Sequence, residues 1–165
     1  MNLWRKLKRI SFPKLIGFGL IFLKKPLLII PTWKATKHTY EFCQKEYGSE
    51  QNLNGKANAF RHAYWNYKIC KNSLKFTKNS QKSVNWTQKV VDYYEKVTKN
   101  EILDRAMDIH NNAIGRMLFL ANIDIKEQEI IKKIQILAEK ASKVTKIEEI
   151  DQFESQLVYI SDTHV

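Results

Sequence analysis

Glycine and proline are scarce, five and three among 165 residues, and no stretch sustains the in-and-out alternation of a half-buried strand. A turn-rich β sandwich or barrel is thereby disfavoured and a helical domain favoured. Cysteine is scarcer still: Cys43 and Cys70 stand in separate segments with no CxxC and no Cys/His spacing. Neither a zinc site nor a disulfide framework is indicated, and the pair reads as two half-buried thiols in a reducing compartment.

Acidic residues are missing altogether before Glu41, although nine cations precede it: Arg5, Lys6, Lys8, Arg9, Lys14, Lys24, Lys25, Lys34 and Lys37. The net charge of +11 is therefore concentrated at one end, and the remainder holds 19 basic against 17 acidic residues. So neutral a body lacks the basic surface that a nucleic-acid binder usually presents. Long hydrophobic runs are absent as well. The stretch from Leu15 to Leu23 is nine residues long before Lys24 and Lys25 interrupt it, whereas a spanning helix needs about 20. No small-x-small site follows Leu23, as a secretory signal would require. HExxH, paired-histidine helices and EF-hand loops are not found.

What the N-terminal segment does contain is Trp4, Phe12, Phe18, Phe22 and Trp33 among its lysines and aliphatic residues. Such a mixture suits an element lying in a membrane interface, with cations toward anionic headgroups and rings at the boundary. Each cation there contributes roughly 1 kcal/mol. Residues 1–36 are thus expected to be a membrane-interfacial segment whose partner is an anionic membrane surface or lipid. An arm packed on the domain's own core, or on a partner protein, is the competing arrangement.

Residues 37–165 read as one helical domain. Gly48 closes a first helix as a natural C-cap. A second runs from about Gly55 to Asn72, and a third carries Ser80 or Ser83 as N-cap. Asn100 to Asn122 forms the fourth and "IKEQEIIKKIQILAEKAS" the fifth, while "IEEIDQFESQLVYI" ends as a short helix or an extended tail. The expected class is an all-α, single-domain bundle of about five helices with a basic, aromatic-rich, amphipathic N-terminal arm.

Two of these helices carry more polar chemistry than a bundle needs. On helix 55–72, Asn58, His62 and Asn66 lie in one line with Arg61 and Trp65 beside it, opposite Ala59, Phe60, Ala63, Tyr67 and Cys70. If that opposite side is core, His62 points into a groove. On helix 100–122, Asp104, Asp108 and Asn112 stack at i, i+4 and i+8, with Asn111, Gly115 and Arg116 on the same half. Gly115 would let a backbone or ligand come close. His110 falls on the apolar half and reads first as a hydrogen-bonded core histidine. His38 and His164 lie outside the cluster and are expected to be nonfunctional.

If the two polar faces meet, His62 reaches Asp108 or Asp104 while Arg61 and Arg116 neutralise an anion. A histidine beside a carboxylate can serve as general base at neutral pH. The expected catalytic set is His62, Asp108, Arg61, Asn66, Asp104 and His110, and the substrate-binding set is Trp65, Asn58, Asn111, Asn112 and Arg116. No cofactor is firmly indicated, although Asp104 and Asp108 could share a divalent cation.

"NGKANAFRHAYWN" and "MDIHNNAIGRM" resemble the two signature segments, AFRHAxWN and HNNxxGR, of an uncharacterised bacterial domain family. That family occurs as stand-alone proteins, notably in Bacteroidetes-type bacteria, and as the C-terminal part of toxin-like proteins. The resemblance covers roughly Asn52 to Phe119. It implies that Arg61, His62, Trp65, Asn66, Asp108, His110, Asn111, Asn112, Gly115 and Arg116 belong together, and it supplies no reaction. "RHAYWNY" and "LDRAMDI" are also similar in layout to phospholipase A2, where a helix histidine meets an Asp on a neighbouring helix. The His-Asp doublet of that family is missing, because Ala63 follows His62.

The functional expectation is a membrane-surface hydrolase acting on a phospholipid or lipid-linked phosphate, peripheral to the cytoplasmic face of a bacterial inner membrane. The alternative is a non-catalytic membrane-associated accessory protein whose polar helix-helix network is structural.

Overall fold

The computed structural model describes residues 12–98 and 101–161, with the side chains of 12–15 left aside. Trp4, the first four cations and His164 lie outside the described residues. The helices are α1 (Phe12–Leu23), α2 (Ile29–Tyr47), α3 (Lys56–Thr77), α4 (Ser80–Val97), α5 (Ile102–Ala121), α6 (Glu127–Glu139) and the single turn α7 (Ile147–Ile150). Tight 3₁₀ turns cover Pro26–Leu28 and Gly48–Asn52, and two short strands, β1 (Ser142–Lys143) and β2 (Val158–Tyr159), pair in parallel. The expected all-α bundle is present. Its helix number rises because α1 and α7 join the five foreseen.

α3 is the centre, packed against α2, α4, α5 and α6. Twelve of its residues are buried, polar Asn58, His62 and Asn66 among them. His62 is itself buried, so it does not point into the open groove expected for it. Phe60, Tyr64 and Tyr67 on one flank join Cys43, Ile130, Ile134 and Phe119 in the main core, while Ile69 meets Ala35, Val90 and Val91 on the other.

The first part of the bundle does not break at residue 36. α2 begins at Ile29 and continues unbroken through that position, with Pro31 in its first turn, where the missing N–H has no helical partner to lose. Thr32 donates its hydroxyl to the Leu28 carbonyl at 2.6 Å and accepts the Trp86 indole N–H at 2.9 Å, which ties α2 to α4. Rings hold α1 to the same helix: Phe18 meets Tyr93 edge-on at 4.8 Å, and Phe22 meets Trp86 edge-on at 5.7 Å. Among the described residues no single helix is long and apolar enough to cross a membrane; Ile16–Leu23 and Pro26–Asn52 have the required composition only as a pair bent by 109°.

Gly48 ends α2 with φ of +55°, as its C-cap position requires. The N-cap of α4 is Asn79 rather than Ser80 or Ser83: its Oδ1 accepts from Lys82 N at 2.8 Å. Ser83 instead turns inward, its hydroxyl bonded to Thr77 at 2.6 Å. At the C-terminal end both readings of the tail hold in sequence, a helical turn and then a strand.

Cys43 and Cys70 are completely buried, not half-buried. Burial pushes each thiol up to about 12, and the Cys70 thiol donates to Thr87 Oγ1 at 3.2 Å. Because the thiolate is the nucleophile, both cysteines should resist an alkylating agent in the native protein and react together once urea unfolds it. Mass spectrometry of labelled protein checks this; labelling of either thiol in native buffer would contradict the burial.

Candidate functional site

α3, α4 and α5 meet along a buried polar seam. The inner face of α5 includes Met107, Asp108, Asn111, Asn112, Ile114, Gly115, Arg116 and Phe119, so most of its polar half points toward α3. Gly115 permits the approach: a Cβ there would stand 2.1 Å from the Ala63 carbonyl oxygen of α3. Close backbone packing brings short polar side chains into direct contact across the seam.

Asn112 is the hub. Its amide nitrogen donates to Glu95 Oε1 of α4 at 3.1 Å, which leaves its oxygen to accept. That oxygen lies 2.6 Å from Asn66 Nδ2 and 3.0 Å from His62 Nδ1. Because carboxylate oxygens only accept, Glu95 sets the Asn112 amide, and Asn112 in turn places the proton on His62 Nδ1. Arg116 completes the inner layer by donating to Asn66 Oδ1 at 3.0 Å. Burial works against the charge on Arg116, and nearby Asp92 offsets part of that.

The outer nitrogen of the ring has two different neighbours. His62 Nε2 lies 2.8 Å from Arg61 Nη2 and 3.1 Å from Asp108 Oδ1. A guanidinium donates only to an unprotonated nitrogen, and a carboxylate accepts only from a protonated one. Arg61 therefore hydrogen-bonds the neutral ring, whereas Asp108 Oδ1 lies within ion-pair distance of the charged one without hydrogen-bond geometry. Arg61 and Trp65 are half-buried, whereas His62 and Asp108 are buried, so the outer edge of the site is formed by the arginine and the indole. Trp65 donates to Thr36 Oγ1 at 2.9 Å and packs edge-on to Tyr94 at 5.3 Å.

Asn58 is buried one helical turn before His62, and its Oδ1 has no hydrogen-bond donor among the described residues. Asn111 is buried but committed elsewhere: its amide donates to Val158 O at 2.9 Å and accepts from Val158 N at 3.0 Å. Asp104 is half-buried and has no hydrogen bond or ion pair among the described residues, a helical turn too far along α5 to share His62. His110 is not a core histidine. It is only partly buried, and its Nε2 meets the Gln156 carbonyl at 2.8 Å, because α5 turns its other face inward. His38, outside the seam as expected, lies 2.9 Å from Glu127 and 3.1 Å from the Tyr64 hydroxyl.

Glu95 is the member that sequence reasoning missed. It follows Thr87 and Val91 at intervals of four, and all three are buried, so a carboxylate standing in register with a buried stripe was the available signal. It also changes the metal question. Among the described residues, three that could together hold an ion are His62, Glu95 and Asp108, whose ligand atoms lie within 4.8 Å of one another, a group that takes in Asp108 and not Asp104. The donor set suits a divalent cation in kind, but the Arg61 guanidinium already places positive charge at Nε2 and would have to move aside.

No curated protein and no solved structure is significantly similar to the chain. One family model, described as a domain of unknown function (DUF6973), matches residues 19–145, a span that takes in α2 to α6 and every residue of the seam. With more than half of its length matched, the chain belongs to the DUF6973 family.

Proposed function

We propose that the protein is a hydrolase of the membrane surface that acts on a phospholipid or lipid-linked phosphate, with His62 Nε2 as general base. The observation that carries this reading is the pair of alternative partners at Nε2, Arg61 for the neutral ring and Asp108 for the charged one. A base that must take up and release a proton gains from having a group suited to each state beside it.

In the step that follows, Nε2 removes a proton from a water molecule whose oxygen attacks the ester. The new bond is from water oxygen to phosphorus or acyl carbon, the ester bond breaks, and the imidazolium returns its proton to the departing alcohol. Arg61, half-buried, moves from Nε2 to the anionic group of the substrate, and Asp108 stabilises the imidazolium. The proton on His62 Nδ1 stays there throughout, donated to Asn112 Oδ1. The unpartnered Asn58 Oδ1 is an acceptor for a hydroxyl of the substrate. Asp104 and His110 make no contact with His62 that would give them a part.

One feature favours the second reading, a structural network in a non-catalytic accessory protein: Asn112 alone links three helices. Turnover separates the two. Wild type and His62→Gln would be offered anionic phospholipid vesicles and a soluble phosphodiester, and the variant should lose about 100-fold or more of the rate while remaining folded. Equal turnover by the two proteins removes His62 from catalysis. No turnover by the wild type, with a lower melting temperature in the variant, supports the structural reading.

A further inference from the structure

α1 and the start of α2 are apolar on two sides, and among the described residues only one side is covered. Phe18 and Phe22 face inward against Tyr93 and Trp86. Facing out on α1 are Ile16, Leu20 and Leu23, at helical spacing, with Leu20 56 % and Leu23 76 % exposed. Past the bend the stripe continues on Leu27, 73 % exposed, and Ile30, 63 % exposed, with Trp33 beyond it. A helix that only roofs a soluble core carries polar residues on its outer side; here that side is leucine and isoleucine. At Gly19, on the same side, no atom lies within 4 Å of where a Cβ would stand.

The charges around this face indicate what covers it. Lys24 and Lys25 occupy the bend itself and are exposed, as are Lys34 and Lys37 along α2. No carboxylate interrupts them before Glu41. A second copy docking the same face on itself would oppose lysine to lysine. A layered environment does not: it accepts aliphatic side chains below and ammonium groups above, where the lysine stems reach anionic oxygens. The bend of 109° between the two segments presents the leucines at an apex, and neither helix alone is long and apolar enough to cross.

We propose that the elbow between α1 and α2 is a docking surface for an anionic lipid bilayer. Leu20, Leu23, Leu27 and Ile30 enter the boundary of the acyl chains, and Lys24, Lys25 and Lys34 engage headgroup phosphates, Lys37 being paired with Glu41 at 3.8 Å. The inference deepens the membrane half of the function proposed above and does not depend on His62.

Vesicle flotation of the full chain tests it, with phosphatidylcholine alone and with phosphatidylcholine containing phosphatidylglycerol. The wild type should float with the anionic vesicles and much less with the neutral ones. Leu23→Asn/Leu27→Asn and Lys24→Gln/Lys25→Gln should each weaken that partitioning by about tenfold or more. Both pairs are exposed, so thermal melts should match the wild type and rule out misfolding as the cause. Failure of the wild type to bind, equal binding to neutral vesicles, or wild-type binding by both variants overturns the proposal. A dimer in solution that the leucine variant dissolves, without vesicle binding, assigns the face to a second copy instead. Hydrolysis of a soluble phosphodiester without vesicle binding would leave the His62 reading standing while this one falls, and vesicle binding without turnover would do the reverse.

Discussion

Gly115→Ala is expected to cost the protein about 3 kcal/mol or more, although it adds a single methyl group. The new Cβ would lie 2.1 Å from the Ala63 carbonyl oxygen and 2.8 Å from the carbon atoms beside it. All three are backbone atoms of the central helix, so no side chain can swing away to make room. α3 and α5 would have to separate by about 1 Å or more to restore van der Waals contact. That separation would stretch the hydrogen bonds from Asn112 and Arg116 to α3 at the same time. For a chain of this length, each kcal/mol lowers the melting temperature by about 2 to 4 °C. Calorimetry or a urea titration reads the loss, and a variant melting within about 2 °C of the wild type would mean that α3 and α5 are not in backbone contact at Gly115.

Asn112→Ala should rank next, at about 3 to 5 kcal/mol. One truncation removes a donor from Glu95 and an acceptor from both His62 Nδ1 and Asn66, in a place where water cannot readily substitute. Breaking a buried polar network from one member costs more than replacing the whole network with apolar groups. The informative comparison is a double-mutant cycle with Glu95→Gln. Coupled residues should give a combined loss smaller than the sum of the single losses, whereas simple additivity would show that Asn112 and Glu95 act apart. Asn112→Asp preserves the shape yet sets a second carboxylate against Glu95, so it should not rescue the fold.

The helices were legible from residue spacing and capping, and so was the pairing of His62 with Asp108, because a helical wheel places residues on faces regardless of their chemistry. What a wheel does not say is which face points inward. Reading polarity as exposure gave His62 a groove and His110 a place in the core. In the folded chain Asp108, Asn111 and Asn112 are buried, and His110 is partly exposed. Gly115 is the reason: a position without a side chain draws the backbones together on its own side of α5, and the polar neighbours follow it in. Glu95 was overlooked for a related reason. An acidic residue near the end of a helix is ordinarily solvated, and only its register with Thr87 and Val91 distinguishes Glu95. The break at residue 36 was drawn from composition, which changes there, while the helix does not end until Tyr47. Apolar residues and lysines are compatible with continued helix, so a change in surface chemistry marked no change in backbone.

Asn111, named first as a candidate to bind substrate, has a different consequence. Its amide gives and takes one hydrogen bond with Val158, on the side of β2 that β1 does not occupy. β1 satisfies the opposite side through Ser142 N to Leu157 O and Val144 N to Tyr159 O. A helix side chain thus stands where a third strand would, and the sheet of two has no open flank at Val158. Sheet edges left bare are templates for unwanted pairing between molecules. Here Asn111 closes the edge at Val158 and the Asn54 carbonyl takes Ile160 N just beyond it, so Asn111→Ala would open that flank at Val158 alone.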